Sequence, residues 1–258
     1  MMKCTTLLIS LGLALCLVIN SAHSRELTIS TGGWPPFLTE DQRHYGFIAH
    51  LISDVFADVG VDVQYEFIPW TRAYQETAIA RYDATAVWMD APERHADFLY
   101  SSPVLDETFV FFHLKDEPFD WDSFADLNGL LMGGVLGYSY GSGLDTALEA
   151  GVFRMERVRN DELNFLKLLS GRIDVYPQEV SVGYYALRRD LPPEEAARVT
   201  HHPAPLLVNQ SFLLLPRSAP DSAELVALFN ESLQRFRDDG RYQEYFDAFG
   251  RGEYELSD

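Results

Sequence analysis

Apolar positions along this chain switch repeatedly between two periods. A short alternating run from Glu26 to Thr31 predicts a strand. It breaks at Gly32-Gly33-Trp34-Pro35-Pro36-Phe37, where two glycines and two prolines force a loop. Phe47, Ile48, Leu51, Ile52, Val55, Phe56 and Val59 then recur at intervals of three and four, the signature of one helix face, and Gly60 ends it. Val61, Val63, Tyr65 and Phe67 alternate as a strand. A second helix from about Trp70 to Ala80 leads to the strand Ala84 to Trp88. Alternation of this βαβαβ kind predicts a mostly parallel sheet covered by helices.

An apolar stretch, Phe109 to Leu114, is followed by the polar segment KDEPFDWDSFADLNG, and Lys115 to Asp120 reads as a change of lobe. The plan then repeats. A strand Leu130 to Leu136 runs into a glycine turn, a helix from about Gly141 to Ala150, a strand around Met155 to Val158, a helix Asp161 to Ser170, a strand Ile173 to Tyr176 and a helix Val180 to Arg189. Asn209 to Leu215 carries the chain back. A long helix runs from a cap at Asp221 through Leu225, Phe229, Leu233 and Phe236 to Gly240, and a short one covers Tyr242 to Phe249. Both are expected to pack on the first lobe.

The start of the chain changes the compartment. Lys3 precedes an apolar run from Leu7 to Ile19, and Ala22-His23-Ser24 closes it, the pattern of a cleaved secretory signal over residues 1–24. The run is short of the roughly 20 residues that span a bilayer. Cys4 and Cys16 both lie inside it, so the 234 residues that remain (258 less 24) contain no cysteine for a disulfide or thiolate site. Leu15 is bulky where a lipoprotein signal takes a small residue, so no lipid is expected on Cys16. Cleavage removes Lys3 and no acid, taking 20 basic groups to 19 against 39 acidic ones and the net charge from -19 to -20. Such a balance argues against nucleic acid or an anionic membrane surface as a partner, because both require basic patches.

Ligands of open parallel sheets gather beyond the carboxyl ends of the strands. Trp34 follows the first strand and is either an apolar wall for a ligand or a cap on the lobe core. Arg94 follows the third; its guanidinium fork suits a carboxylate, and the alternative is a surface pair with Glu93 or Asp97. Gly134 to Gly141 ends a strand in a turn where free N–H groups and the Ser139 hydroxyl suit an anion, although no P-loop Gly-Lys-Ser/Thr is present. Glu179 ends a strand at a helix start, where it either takes an ammonium or stabilises the helix dipole. His113, His201 and His202 have no metal-ligand spacing, and neither metal nor cofactor is expected.

In this order the motifs WPPF, APER followed by DF and SSP, DLNG followed by GYS, and GRIDVYPQE resemble those of the family 3 extracellular solute-binding proteins, over nearly the whole chain after the signal. The resemblance implies the α/β, two-lobed periplasmic-binding-protein type II fold, with mostly parallel sheets and a ligand cleft between lobes. It implies lobe 1 at residues 25–114 and 210–258 and lobe 2 at 115–209, joined by crossings near Phe112 to Leu114 and Gln210 to Leu214. Carried over position by position, Trp34 stacks on a ligand, Arg94 binds its α-carboxylate, Ser139 adds a donor to that carboxylate and Glu179 holds the α-ammonium. The chain departs from the family pattern at Val87-Trp88-Met89-Asp90, Ala91 and Thr31, and Trp88, Tyr138 and Tyr140 point to an unusually aromatic pocket.

The function so implied is capture of a small zwitterion, an amino acid or relative, by a monomeric periplasmic protein that delivers it to the permease subunits of an ABC importer. It is not an enzyme. Two alternatives stand beside this: a dehydratase of cyclic carboxylates on the same scaffold, with Glu179 or Asp90 as its acid-base group, and a periplasmic sensor module.

Overall fold

The computed structural model describes residues 25–256, so the signal expected at residues 1–24 lies outside the described residues. The first half of the chain forms β1 (Arg25–Thr31), α1 (Phe47–Ala57), β2 (Val61–Phe67), α2 (Trp70–Ala78), β3 (Ala84–Met89), a 3₁₀ turn at Pro92–Ala96, β4 (Phe98–Tyr100) and β5 (Leu105–Leu114). The second forms β6 (Leu131–Val135), α3 (Ser142–Glu149), β7 (Arg154–Val158), α4 (Asp161–Leu169), β8 (Tyr176–Glu179), α5 (Val180–Asp190), α6 (Pro193–Ala196) and β9 (Val199–His201). β10 (Leu207–Pro216) returns the chain to α7 (Ser222–Asp238) and α8 (Arg241–Gly250).

The main sheet has the order β2-β1-β3-β10-β5-β8. Parallel pairing is found where the alternation of strands and helices predicts it, at β2-β1-β3 and at β6-β7. The strands that carry the chain between the halves are antiparallel: β10 pairs with β3, β4 and β5, and β5 with β8 and β9. The passage between halves runs along Leu105 to Phe109, laddered on Ser211 to Leu207. Phe112 to Leu114, expected at the crossing, instead pairs with β8 and β9 deep in the second half. The crossing lies earlier because β5 begins four residues before the apolar run at Phe109 suggests.

β5 also divides the core. Successive side chains of a strand point to opposite faces, and here Phe109 and Phe111 join the large cluster built on α1, β1, β10 and α7, while Val110 and Phe112 join a second cluster with Phe165, Leu168, Tyr176 and Leu187. With both faces covered, the strand reads as a continuous apolar run rather than an alternating one. In the first half α7 packs on α1 through Phe229 and Phe56, whose ring centroids are 4.9 Å apart, and α8 packs Phe249 on Phe47 at 4.8 Å. Asp221, read as the cap of α7, makes no capping bond; its carboxylate is taken by Arg25 at the start of β1.

Two features of β5 give measurable consequences. Gly183 of α5 lies against Phe112, where an added Cβ would sit 2.2 Å from the ring. Gly183→Ala is therefore expected to cost about 1–3 kcal/mol through overpacking, read from urea unfolding, with part of the loss recovered by Phe112→Leu. Glu107, only 1% exposed, meets Asn209 Nδ2 at 3.4 Å through Oε2, while Oε1 makes no hydrogen bond of normal geometry. Burial pushes this carboxyl from its ordinary 4.5 up to about 7, Ser211 and Asn209 pull it down, and the charges of Glu179 and Asp106 add to the rise. A folded value above the unfolded one means the contribution to stability is complete below about pH 4.5 and is lost as pH rises to about 7. The stability of the wild type should thus fall relative to that of Glu107→Gln between pH 5 and 7, and equal pH profiles would refute the assignment. The comparison of the two proteins is needed because His50 and His201, lowered by burial, act in the opposite direction over the same range.

Candidate functional site

A cavity of about 540 Å³ opens between the two halves. The first half contributes the loop after β1 (Gly32, Gly33, Pro35, Thr39, Glu40 and Asp41) and the β2-to-α2 corner from Phe67 to Trp70. The second contributes the β6 end and its turn (Val135, Leu136, Tyr138), the β7-to-α4 corner (Arg159, Asn160, Asp161) and Arg189 from α5. Its volume is in the range that holds a small organic molecule.

Each wall is fixed by local chemistry. Trp70 lies flat against Gly32, where a Cβ would come within 2.3 Å of the indole, so the loop must be bare there. The turn after β6 is gripped by Arg157, whose Nη1 donates to Val135 O at 2.7 Å and to Tyr138 O at 2.8 Å. That grip presents Tyr138 across the opening, where its hydroxyl reaches Gly33 O at 3.4 Å. Burial pushes the Tyr138 phenol well above its ordinary range, so it is a neutral donor at any physiological pH.

Asp161 is the buried charge of this cavity, at 7% exposure. Its Oδ1 accepts from Tyr176 Oη and from Gln178 Nε2, the latter at 2.5 Å. Burial raises its carboxyl, opposed by those two donors and by the charge of Arg189. Arg189 itself is committed elsewhere: Nε and Nη2 fork onto Asp190 at 2.6 and 2.7 Å, and the guanidinium lies 5.2 Å from the Tyr185 ring centroid. Asn160 caps α4, accepting from Leu163 N at 3.2 Å. Glu40, Asp41 and Arg159 are exposed at the rim.

Of the six residues singled out from sequence, Tyr138 lines this cavity. Trp88 and Arg94 come together, but as a pair: the guanidinium carbon is 4.9 Å from the Trp88 ring centroid and Nη1 donates to Met89 O at 2.7 Å. Among the described residues Arg94 forms no ion pair, so neither Glu93 nor Asp97 is its partner. Trp88 in turn meets Trp70 edge to face at 5.2 Å, and of these three residues only Trp70 lines the cavity. Trp34 is buried against Phe109 of β5 at 6.4 Å, and its Nε1 has no partner.

Glu179, 3% exposed, caps α5 by accepting from Ser181 N at 2.7 Å and Val182 N at 2.9 Å. Burial raises it to about 7 in spite of those bonds. Ser139 is exposed, donates to Asp145 Oδ2 at 2.6 Å and does not meet Arg94. Tyr140 is a core residue, its hydroxyl accepting from Val135 N at 2.8 Å. The four anchors expected to converge on one zwitterion are thus engaged separately by the protein.

Sequence reasoning missed Trp70, Arg159 and Asp161. The signal was available, since each follows a parallel strand, β2 or β7, just as Trp34 follows β1. Arg189, at the far end of a helix, carries no such signal.

The fold finds many counterparts among solved structures. An ancestral arginine-binding protein bound to arginine is 19% identical with a TM-score of 0.73, covering 87% of this chain and 98% of its own. An arginine 3rd transport system periplasmic binding protein from Legionella pneumophila is 18% identical at a TM-score of 0.70, covering 87% and 99%. The GluR0 ligand-binding core from Nostoc punctiforme in complex with (L)-glutamate is 19% identical at 0.69, covering 86% and 97%. At these identities the likeness is one of fold, the two-lobed type II periplasmic-binding arrangement. No curated protein matches the sequence. The family model described as bacterial extracellular solute-binding proteins, family 3, matches residues 27–252, and the chain belongs to that family.

Proposed function

We propose that this chain captures a small zwitterion, an amino acid or close relative, in the cavity between its halves and delivers it to the permease subunits of an ABC importer. The observation that carries the reading is the lining of that cavity: both halves contribute to it, aromatic rings from Trp70 and Tyr138 stand beside charges of both signs, and the volume suits one small molecule. Arginine-binding and glutamate-bound proteins of the same fold support an amino-acid ligand. Residues 25–104 with 212–258 act as one closing lobe and 110–206 as the other, hinged on the β5/β10 ladder of Leu105–Phe109 and Leu207–Ser211. Residues 1–24 direct export to the periplasm, where the protein works as a monomer without catalysis.

Tyr138 touches the ligand in the closed form. Trp34 and Glu179, buried beneath the closed halves, and Trp88 with Arg94, behind Trp70, become accessible as the lobes part. Ser139 belongs to the turn that carries Tyr138.

The test is thermal unfolding of the chain from Arg25 onward against amino acids, amines and small carboxylates. Binding to the folded state alone stabilises by RT ln(1 + [L]/Kd), about 2.7 kcal/mol at a hundredfold excess over Kd, so a selective rise in Tm is expected. No rise with any member of the panel would overturn capture of a zwitterion. Loss of a cyclic carboxylate such as prephenate or arogenate, followed by product absorbance, would replace capture with catalysis, for which a buried carboxyl near 7 such as Glu179 is a suitable acid.

A further inference from the structure

Asp161 combines three properties that no other group of the cavity shares. It is a carboxylate at 7% exposure, it lines the space between the halves, and it forms no ion pair among the described residues. Both side-chain hydrogen bonds that it accepts, from Tyr176 and Gln178, fall on Oδ1, its own backbone N–H also meets the carboxyl, and no side-chain donor of the described residues reaches Oδ2. A carboxylate taken out of water and met only by neutral donors is incompletely compensated. Arg189 pulls the Asp161 carboxyl downward from a distance but holds Asp190 in its fork, and Arg159 is exposed at the rim.

The surroundings of Oδ2 favour one kind of partner. Trp70 and Tyr138 both line the same space, and the negative faces of aromatic rings attract ammonium and guanidinium groups. The Trp70 indole is fixed by Gly32 on one side and Trp88 on the other, so its position against the cavity does not depend on a ligand. Arg94, the one cation of the first half that a ligand carboxylate was expected to meet, already lies on Trp88 behind that wall.

Resting on the reading that this cavity is the ligand site, we propose that Asp161 is its specificity-determining contact and selects a ligand bearing an ammonium or guanidinium group, which enters between Trp70 and Tyr138 and bonds Oδ2. Discrimination between L-arginine and L-citrulline isolates the effect, because the two have nearly the same shape and differ in that charge. Calorimetric titration of the chain from Arg25 onward should show arginine or lysine binding more tightly than citrulline, glutamine or glutamate. Asp161→Asn should lower the cation-over-neutral ratio about tenfold or more, as removal of a charge-assisted bond does, while Asp161→Glu retains a preference for the cation. A purely structural role would weaken arginine and citrulline together and leave the ratio unchanged. Trp70→Leu provides a second variant should Asp161→Asn fail to fold, and it should reduce the same ratio. An unchanged ratio in either folded variant, or a wild type that binds neutral or acidic ligands and no cation, overturns the inference while leaving the capture reading intact. A wild type that binds no member of the panel overturns both.

Discussion

The whole arrangement depends on one strand that is covered on both faces. β5 must be apolar from Phe109 to Phe112 because Phe109 and Phe111 fill one cluster while Val110 and Phe112 fill the other. It must also pair on β10 at its start and on β8 and β9 at its end, so its backbone is the shared edge from which both halves are built. The corners of the cavity follow from it: β8 and α5 lie on its far end, Trp34 packs on Phe109, and Tyr140 meets the same ring edge on at 6.4 Å. Into this strand the sequence places Glu107, on the face of Phe109 and diagonal to Glu179 across the ladder. Two buried carboxyls raised to about 7 on one face of the junction between halves are a departure from apolar packing that only the pairing reveals.

Much of the fold is legible in the chain because it is written in local periods. β2 occupies the predicted residues Val61 to Phe67, and the ends of α1, α4, α7 and α8 fall within about two residues of the Gly and polar stops that predict them. β4 and β9 are not legible. Each has three residues, and each exists because a neighbouring strand, β10 or β5, offers it an edge. The strand read at Ile173 to Tyr176 forms three residues later, at Tyr176 to Glu179, where β5 pairs with it; Pro177 is tolerated there because β8 is the outer strand of the main sheet. Ile173 and Val175 serve packing instead, Val175 bridging to Met132 of β6.

The site is less legible than the fold, and Arg94 shows why. Its place after a strand and its chemistry were readable, but its partner is set by Trp88, six residues earlier, and by the carbonyl of Met89. A guanidinium stacks on an indole as readily as it forks onto a carboxylate, and sequence cannot decide between the two. Trp88 is the residue that decides it, by stacking on the cation, while its neighbour Trp70 lines the cavity and Arg94 does not. The same holds for Glu179, whose two backbone bonds follow from standing at the first turn of α5.

Net charge is a poor guide to what such a cavity takes. A chain of net charge -19 carries most of its acids on the surface, where salt screens them within about 10 Å. Asp161 counts for more than those acids because of where it stands: out of water, its Oδ1 held by two neutral donors, with the nearest arginine already held by Asp190. Moving the same carboxylate to the rim beside Glu40 and Asp41 would leave the charge of the protein unchanged and remove its selectivity, because water would then compete for the bond that Oδ2 has to offer.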